Sequence, residues 1–435
     1  MSERKPVSVV SPLAAGYKRK PAPDVRWPVS RFAEKNLMFN LTAVQDALKK
    51  FEFDGWLLYD FRGSNVLAQR ILDMPEGFMA SRRYLYFIPA AGTPQKLVHR
   101  IENDALDHLP GEKTIYLKWQ ELEAGIDTMV SGHKSIAMEY SPRNANPYIS
   151  RVDAGTVEMV RGFGADVRPS GDLISIFEAT LSEEQLQSHY AVSVLTNEAF
   201  SIAWKFIADE VRANGSVEES AVEARIMKHF EDNDLTTYHP PIVGVNANGG
   251  NPHYETGTGE VTAIKENDFV LIDLWAKQKT PGAIYSDLTR TGYVGTEVPQ
   301  EYVDIFNIVA ASRDAGIECT RSRLAAGEPL QGWEIDDAVR GVIEQAGYGE
   351  YFCHRTGHSL GQEVHGNGTH LDNLETHETR LILPRTLFTI EPGIYLPEFG
   401  VRSEVDVYIH EDGTPEVTGG PIQTEVVPIL KDFPA

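Results

Sequence analysis

Five side chains far apart in the sequence, Asp273, Asp287, His358, Glu391 and Glu404, could between them hold a pair of cations. They stand in the phrases VLIDLW, IYSDLTRT, HRTGHSLG, FTIEPGIY and GVRSEVDVYI. Four carboxylates and one imidazole make an oxygen-rich donor set for divalent metals. Gathered in one pocket, such a set suits a two-metal hydrolytic centre, where paired cations lower the pKa of a water and polarise a carbonyl.

The first pair stands on a hairpin. FVLIDLWAK is a strand by composition, and side chains alternate, so Leu271, Asp273 and Trp275 share a face. A carboxylate in so apolar a strand is costly unless something pairs with it. KQKTPG reads as a polar turn, and AIYSDLTRTGYVG as a returning strand on which Asp287 can face Asp273. Two like charges at close range would force one group to keep its proton, and a divalent cation removes that conflict. The competing reading is one buried Asp bonded to backbone amides and one surface Asp at a turn. Spacing alone does not choose between them.

FCHRTGHSLGQEVHGNG carries His354, His358 and His365. His354 and His358 could share a face only in a helix. Gly357, Gly361, Gly366 and Gly368 argue instead for a loop with close backbone approach. A lone histidine is more often structural, but three so close together favour chemistry. The HExxH pattern of a single-zinc helix is absent. His253, in NPHYETG, lies in another loop rich in Gly and Pro. Glu391 ends an apolar run just before Pro-Gly, a stop that aims its side chain. In VRSEVDVYI, Val401, Ser403, Val405 and Val407 fall on one face, with Arg402, Glu404, Asp406 and Tyr408 on the other. Arg402 is then a partner for Glu404 or a clamp for a substrate carboxylate. A strand with one wet face fits the pattern as well.

The elements that must position these groups follow from the whole chain. Its 435 residues suggest two domains. Residues 1–30 read as an irregular arm, and 31–50 as a helix with a basic end. FDGWLLYD, RYLYFIPA, KLVHRI, TIYLKW, SIAMEY and GTVEMVRGF form a series of short apolar or alternating runs, an α/β or mixed-sheet pattern. From Leu181 the pattern turns helical. Ser182 and Gln185 form a capping box, with Leu181 and Leu186 as its staple. A second start is expected at Ser216, with Glu219 three residues on and Val222 and Ile226 on one face. The boundary falls in RPSGDLISIFEAT, giving domains of 1–180 and 181–435, all five candidate ligands lying in the second.

The formal charge of -23 argues against nucleic acid and anionic membranes as partners. No run of apolar residues is long enough to span a bilayer, and the start lacks a signal-peptide pattern, so the cytoplasm is expected. Cys319 and Cys353 do not make a disulfide framework. Cys353, beside the histidines, is either a thiol that reagents reach or a buried inert one.

Taken together, the phrases resemble the pita-bread metallopeptidase family (M24), in the branch of prolidase (Xaa-Pro dipeptidase) and aminopeptidase P. The resemblance covers about 182–435. The first 180 residues resemble that branch's N-terminal domain, more weakly. It implies an α/β fold, a creatinase-like mixed-sheet domain followed by a pita-bread α+β catalytic domain. It further implies that Asp273 and Asp287 chelate, Asp287 bridging, that His358 and Glu391 complete one site, and that Glu404 bridges as well. Two divalent cations are implied, Mn²⁺ first, with Zn²⁺, Co²⁺ or Fe²⁺ also compatible. Glu391 would move a proton, His365 would face the scissile carbonyl, and His253 would hold the leaving side or the substrate terminus. Tyr395 and Trp275 are candidate walls for a proline ring. The expected activity is cleavage of Xaa-Pro dipeptides by a homodimer, with aminopeptidase P action on longer peptides as the alternative. A metal-free binding protein on the same fold is the reading from another class. The chain departs from the family in two places. Asp273 and Asp287 are fourteen residues apart where eleven is usual, and Val405 follows Glu404 where an acid is usual.

Overall fold

The structure, a computed structural model, describes residues 39–75 and 77–435. The arm expected over 1–30, and the first part of the helix expected over 31–50, lie outside the described residues. Helix α1 (Leu41–Lys50) begins where the Asn40 side chain accepts the Ala43 N–H at 3.0 Å. It ends on Lys49 and Lys50, whose charge suits the C-terminal carbonyls.

The expected series of short strands forms one mixed sheet. Its members are β1 (Gly55–Asp60), β2 (Tyr84–Pro89), β3 (Gln95–His99), β4 (Glu112–Tyr116), β5 (Ser135–Met138) and β6 (Asp166–Pro169), in the order β4-β3-β2-β1-β5-β6. β2 runs antiparallel to β1 and β3, and the other pairs are parallel. Alternation along β1 and β2 buries both faces. Trp56, Leu58, Tyr84 and Tyr86 enter one core, and Leu57, Tyr59, Leu85 and Phe87 the other. Helices α2 (Val66–Ile71), α3 (Trp119–Val130) and α4 (Ala154–Gly162) flank the sheet. α4 corrects the strand-like reading of GTVEMVRGF. Asp153 caps it by accepting the Thr156 N–H at 2.9 Å, and Val157 and Val160 recur at helical spacing on its buried side.

The stretch expected to divide the chain is itself packed. It forms β6, a short helix α5 (Gly171–Ile174) and a π-helical turn over Ser175–Ala179. Leu173 and Ile174 are buried in the same core as Leu381 and Leu383 from late in the sequence. Past it, α6 (Glu183–Asn214) starts on the expected capping box: the Ser182 hydroxyl accepts the Gln185 N–H at 3.2 Å, and the Gln185 side chain accepts the Ser182 N–H at 3.0 Å. Leu181 and Leu186 share one cluster. The second expected start is different. Ser216 opens strand β7 (Ser216–Glu218), and α7 (Glu219–Asp232) follows without a side-chain cap. Glu219 turns inward, and its carboxylate accepts from Val245 N, Asn248 Nδ2, the Tyr254 hydroxyl and Gly257 N. Four donors in a buried place outweigh what a cap would contribute.

The remaining strands are β8 (Leu235–Thr236), β9 (Ile242–Val245), β10 (Ala263–Lys265), β11 (Phe269–Gln278), β12 (Ser286–Tyr293), β13 (Ser359–Leu360), β14 (Leu387–Ile390), β15 (Gly393–Tyr395), β16 (Gly400–Arg402), β17 (Val405–Ile409), β18 (Pro415–Thr418) and β19 (Val427–Pro428), the last parallel to β12. β12 pairs with β11, which pairs with β8 and β9, while β13, β14, β17 and β18 form a second sheet in that order. Helices α8 (Gln300–Ala325) and α9 (Gly332–Gln345) cover the second sheet through a shared core of Val309, Ile317, Val339, Ile390 and Val407. The two sheets meet where Glu404 N donates to Thr289 O at 3.4 Å and Asp287 N donates to Asp406 Oδ2 at 3.2 Å. Among the described residues, no helix is long and apolar enough to cross a membrane.

Candidate metal centre

The hairpin sets the first two carboxylates. In the β11–β12 register Asp273 pairs with Thr289, and Asp287 pairs with Trp275. All four side chains therefore point to one face, and the two acids are diagonal neighbours rather than directly opposed. The end of the hairpin packs on the histidine loop: Tyr285 N donates to Gly361 O at 3.0 Å, and Lys277 Nζ, near the end of β11, to Gln362 O at 2.5 Å. Asp287 is buried, which removes the surface-turn reading.

The histidine segment is a loop interrupted only by the short β13, as its glycines imply. Gly357 is needed for approach, since a Cβ there would sit 2.0 Å from Thr389 O. The Thr389 hydroxyl accepts the His358 N–H at 3.0 Å, which fixes the ring's entry. His358 Nδ1 lies 3.3 Å from Ser359 O. A proton on Nδ1 leaves the Nε2 lone pair free to ligate. That Nε2 stands 3.3 Å from Glu391 Oε1 and 3.6 Å from Asp287 Oδ2. His354 turns the other way, its Nε2 2.6 Å from the Tyr395 hydroxyl.

The late carboxylates come from a broken strand. The phrase GVRSEVDVYI divides into β16 and β17, and Ser403 and Glu404 lie between them. The expectation of one strand with a wet face is thus corrected: from Gly400 to Ile409 every residue is buried. The break turns Glu404 toward β12, where the Thr289 hydroxyl donates to its Oε2 at 2.7 Å. Asp406 accepts from Asp287 N and the Ser286 hydroxyl, so it braces the backbone of a candidate ligand.

The result is a buried cluster. Asp287, His358 and Glu404 each offer a donor atom within 4.8 Å of the others. Glu391 joins through its contact with His358. Asp273 has one carboxylate oxygen on Arg402 and the other, Oδ1, buried with no partner. Burial, with repulsion from the neighbouring acids, drives Asp287 and Glu404 far above the carboxylate range, and burial alone raises Asp273. Glu391 is pushed up to about 7, burial being the largest cause. Burial holds His358 well below its ordinary value, so its imidazole is neutral. Four carboxylates here meet one bonded guanidinium, Arg402. A neutral imidazole, an orphaned oxygen and unneutralised acids fit divalent cations, and on this donor set they fit well.

Arg402 does not pair with Glu404 by hydrogen bond. Its guanidinium reaches Asp273, the Thr289 hydroxyl at 2.9 Å and the Tyr395 hydroxyl at 3.0 Å. It is 3% exposed, which leaves it spent on the cluster rather than open to a substrate carboxylate. His365 is exposed and packs edge-to-face on His358 with centroids 4.4 Å apart. His253 is also exposed, close enough for its charge to act on Asp273 and His365. Trp275 shares the Asp273 face, and exposed Tyr238 lies against it at 5.8 Å. Cys353 is exposed, not a buried thiol. Thr289, Thr389 and Tyr238 escape a reading from sequence, as does the bracing role of Asp406. Thr289 and Asp406 carry the same kind of signal, a place two residues from a candidate ligand on the same face.

Metallopeptidase family M24 matches residues 190–411, just over half of the chain and all five clustered residues. The chain belongs to the M24 metallopeptidase family. Among its relatives is YkvY of Bacillus subtilis, named as a candidate dipeptidase. It is 37% identical over 177 residues, 40% of this chain and 43% of that protein. The matched stretch thus spans less than half of that relative's length. A dipeptidase structure, PepE from Mycobacterium ulcerans, aligns with a TM-score of 0.64 at 18% identity, over 92% of this M24 chain and 97% of PepE. A structure described as the Xaa-Pro dipeptidase from Bacillus anthracis aligns at 0.56 and 20%, over 90% and 100%. At these identities the likeness establishes the fold, a mixed α/β arrangement of the M24 pita-bread kind.

Proposed function

We propose that this M24 peptidase hydrolyses Xaa-Pro bonds with two divalent cations, taking dipeptides before longer chains. One observation carries the reading: buried Asp287 and Glu404 offer oxygens within 4.8 Å of the neutral His358 imidazole, half-buried Glu391 reaches it at 3.3 Å, and buried Asp273 keeps its Oδ1 unpartnered. Asp273 and Asp287 would chelate, Asp287 and Glu404 would bridge, and His358 and Glu391 would complete one site. Mn²⁺ is the first expectation. Bound cations would supply an activated water and a polarised carbonyl. Glu391, lifted by burial to about 7, suits a group that takes a proton and passes it toward the leaving nitrogen. His365, on the open side of His358, would donate to the developing oxyanion. His253 would hold the substrate terminus or the leaving side.

A proline nitrogen in a peptide has no N–H to recognise, so its ring must be read by shape. Trp275, with Tyr238 against it, offers an apolar wall beside Asp273. The names of the Bacillus anthracis structure and of YkvY support dipeptides. Exposure of His253 and His365 favours the second reading, an Xaa-Pro aminopeptidase, since it leaves that side open to more chain. The proposal extends to a homodimer in the cytoplasm, on the family resemblance alone.

A cleavage panel with added Mn²⁺ tests the choice. Gly-Pro is expected to be cleaved with a kcat/KM at least ~10-fold above Gly-Pro-Pro, and Gly-Leu to be poor; one missing ring contact is worth roughly that factor. Preference for Gly-Pro-Pro would transfer the assignment to the aminopeptidase. Equal cleavage of Gly-Leu would remove proline specificity.

A further inference from the structure

With Arg402 committed to Asp273, another cation must meet the free carboxylate that distinguishes a dipeptide from a longer chain. Arg355 is 8% exposed and stands three residues before His358 in the histidine loop. Its Nη1 donates to the Tyr148 hydroxyl at 2.7 Å, and its guanidinium lies 5.4 Å from that ring's centre. The other guanidinium N–H groups make no hydrogen bond to the described residues. A largely buried guanidinium with unspent donors beside a hydrolytic centre is suited to a planar, bidentate acceptor such as a carboxylate. Its charge lowers His358, His365 and Glu391, so the guanidinium lies within electrostatic reach of the centre.

Tyr148 comes from the other end of the chain, on a short turn between β5 and α4. The turn is locked. The Asn146 side chain accepts the Tyr148 N–H at 3.1 Å and donates to Glu378 at 2.9 Å. Glu378 in turn accepts from His370 N at 3.4 Å and from Arg380. The Tyr148 ring packs on His370 at 4.2 Å, and His370 Nδ1 accepts the Ser359 N–H at 3.1 Å. The N-terminal sheet therefore braces the histidine loop at Arg355 and, through His370, at the residue next to His358.

We propose that Arg355 binds the C-terminal carboxylate of a dipeptide substrate, and that Tyr148, reaching across from the N-terminal sheet, is the positioning residue that aims it. This rests on the dipeptidase reading. Tyr148→Phe keeps the ring against His370 and removes only the oxygen. In the Mn²⁺-loaded protein it should lower kcat/KM for Gly-Pro about 10-fold, mostly through KM, the effect of losing one hydrogen bond to a charged group. Gly-Pro-amide, which has no carboxylate, should be cleaved by both proteins at the same lower rate. Arg355→Ala should collapse the preference for Gly-Pro over its amide, and Arg355→Lys should restore part of it.

Binding of free proline to the Mn²⁺-loaded protein, measured by calorimetry, gives a second readout, which Arg355→Ala should abolish. An unchanged preference for the free acid in Tyr148→Phe would overturn the positioning role. So would an equal fall on acid and amide, the mark of a merely structural change. If the wild type cleaves no Gly-Pro yet binds proline through Arg355, the dipeptidase reading fails and the carboxylate site stands. If it cleaves Gly-Pro and Arg355→Ala binds proline as tightly as before, the carboxylate site alone fails.

Discussion

Replacing Glu391 with alanine is expected to abolish hydrolysis of Gly-Pro, with a fall in kcat of at least ~10³-fold, within the range of a lost general acid–base group. The expectation follows from position. Glu391 directly follows β14, just before Pro-Gly, its Oε1 lies 3.3 Å from His358 Nε2, and the Thr389 hydroxyl donates to it at 3.4 Å. Its pKa, about 7, allows the group both to accept and to release a proton near neutrality. Rate and bound metal must be read on the same sample, because the side chain is also a candidate ligand. Full activity in Glu391→Ala would refute both roles.

The second large effect concerns stability. In the metal-free protein, burial lifts Glu391 from an ordinary 4.5 to about 7, and Asp287 and Glu404 are raised well above the usual carboxylate range. The folded state thus holds protons that the unfolded chain has already released. The stabilisation is full below about pH 4.5 and is lost as pH rises through about 7. For Glu391 alone the loss is on the order of 3 kcal/mol. Glu391→Gln cannot titrate, so the stability difference between it and the metal-free wild type should shift by about that amount between pH 4.5 and 8. Cations bind the deprotonated form, so Mn²⁺ should raise the wild-type Tm more at pH 8 than at pH 5.5. Thermal unfolding with and without Mn²⁺ reads both. A difference that stays flat with pH would show that Glu391 is not held in a carboxylate-rich pocket.

The parts legible in the sequence are those that local chemistry dictates. Ser182 and Gln185 cap α6 because a hydroxyl and an amide three residues apart satisfy each other's backbone donors. Asp273 stands out because an acid in an apolar strand needs a partner, and the glycines of HRTGHSLG exclude a helix. The rest depends on register and on contacts across the chain. The diagonal placement of Asp273 and Asp287 is set by the turn, whose shape KQKTPG does not disclose. The break at Ser403–Glu404 interrupts a sequence that alternates without fault. Glu219 has the spacing of a capping residue, but four donors from a distant loop claim it. Arg402 sits two residues from Glu404 and bonds instead to Asp273. The Tyr148–Arg355 contact joins residues 207 positions apart, which no periodicity reveals.

The claim beneath all of this is that five side chains enclose two cations in one pocket. Metal analysis of protein dialysed against excess Mn²⁺ tests it most directly, with wild type and Asp287→Ala measured side by side. The expected result is about two ions per wild-type chain and fewer than one in the variant, since the proposed bridging carboxylate serves both positions. A wild type that retains no metal, or a variant that retains as much as the wild type, would contradict it.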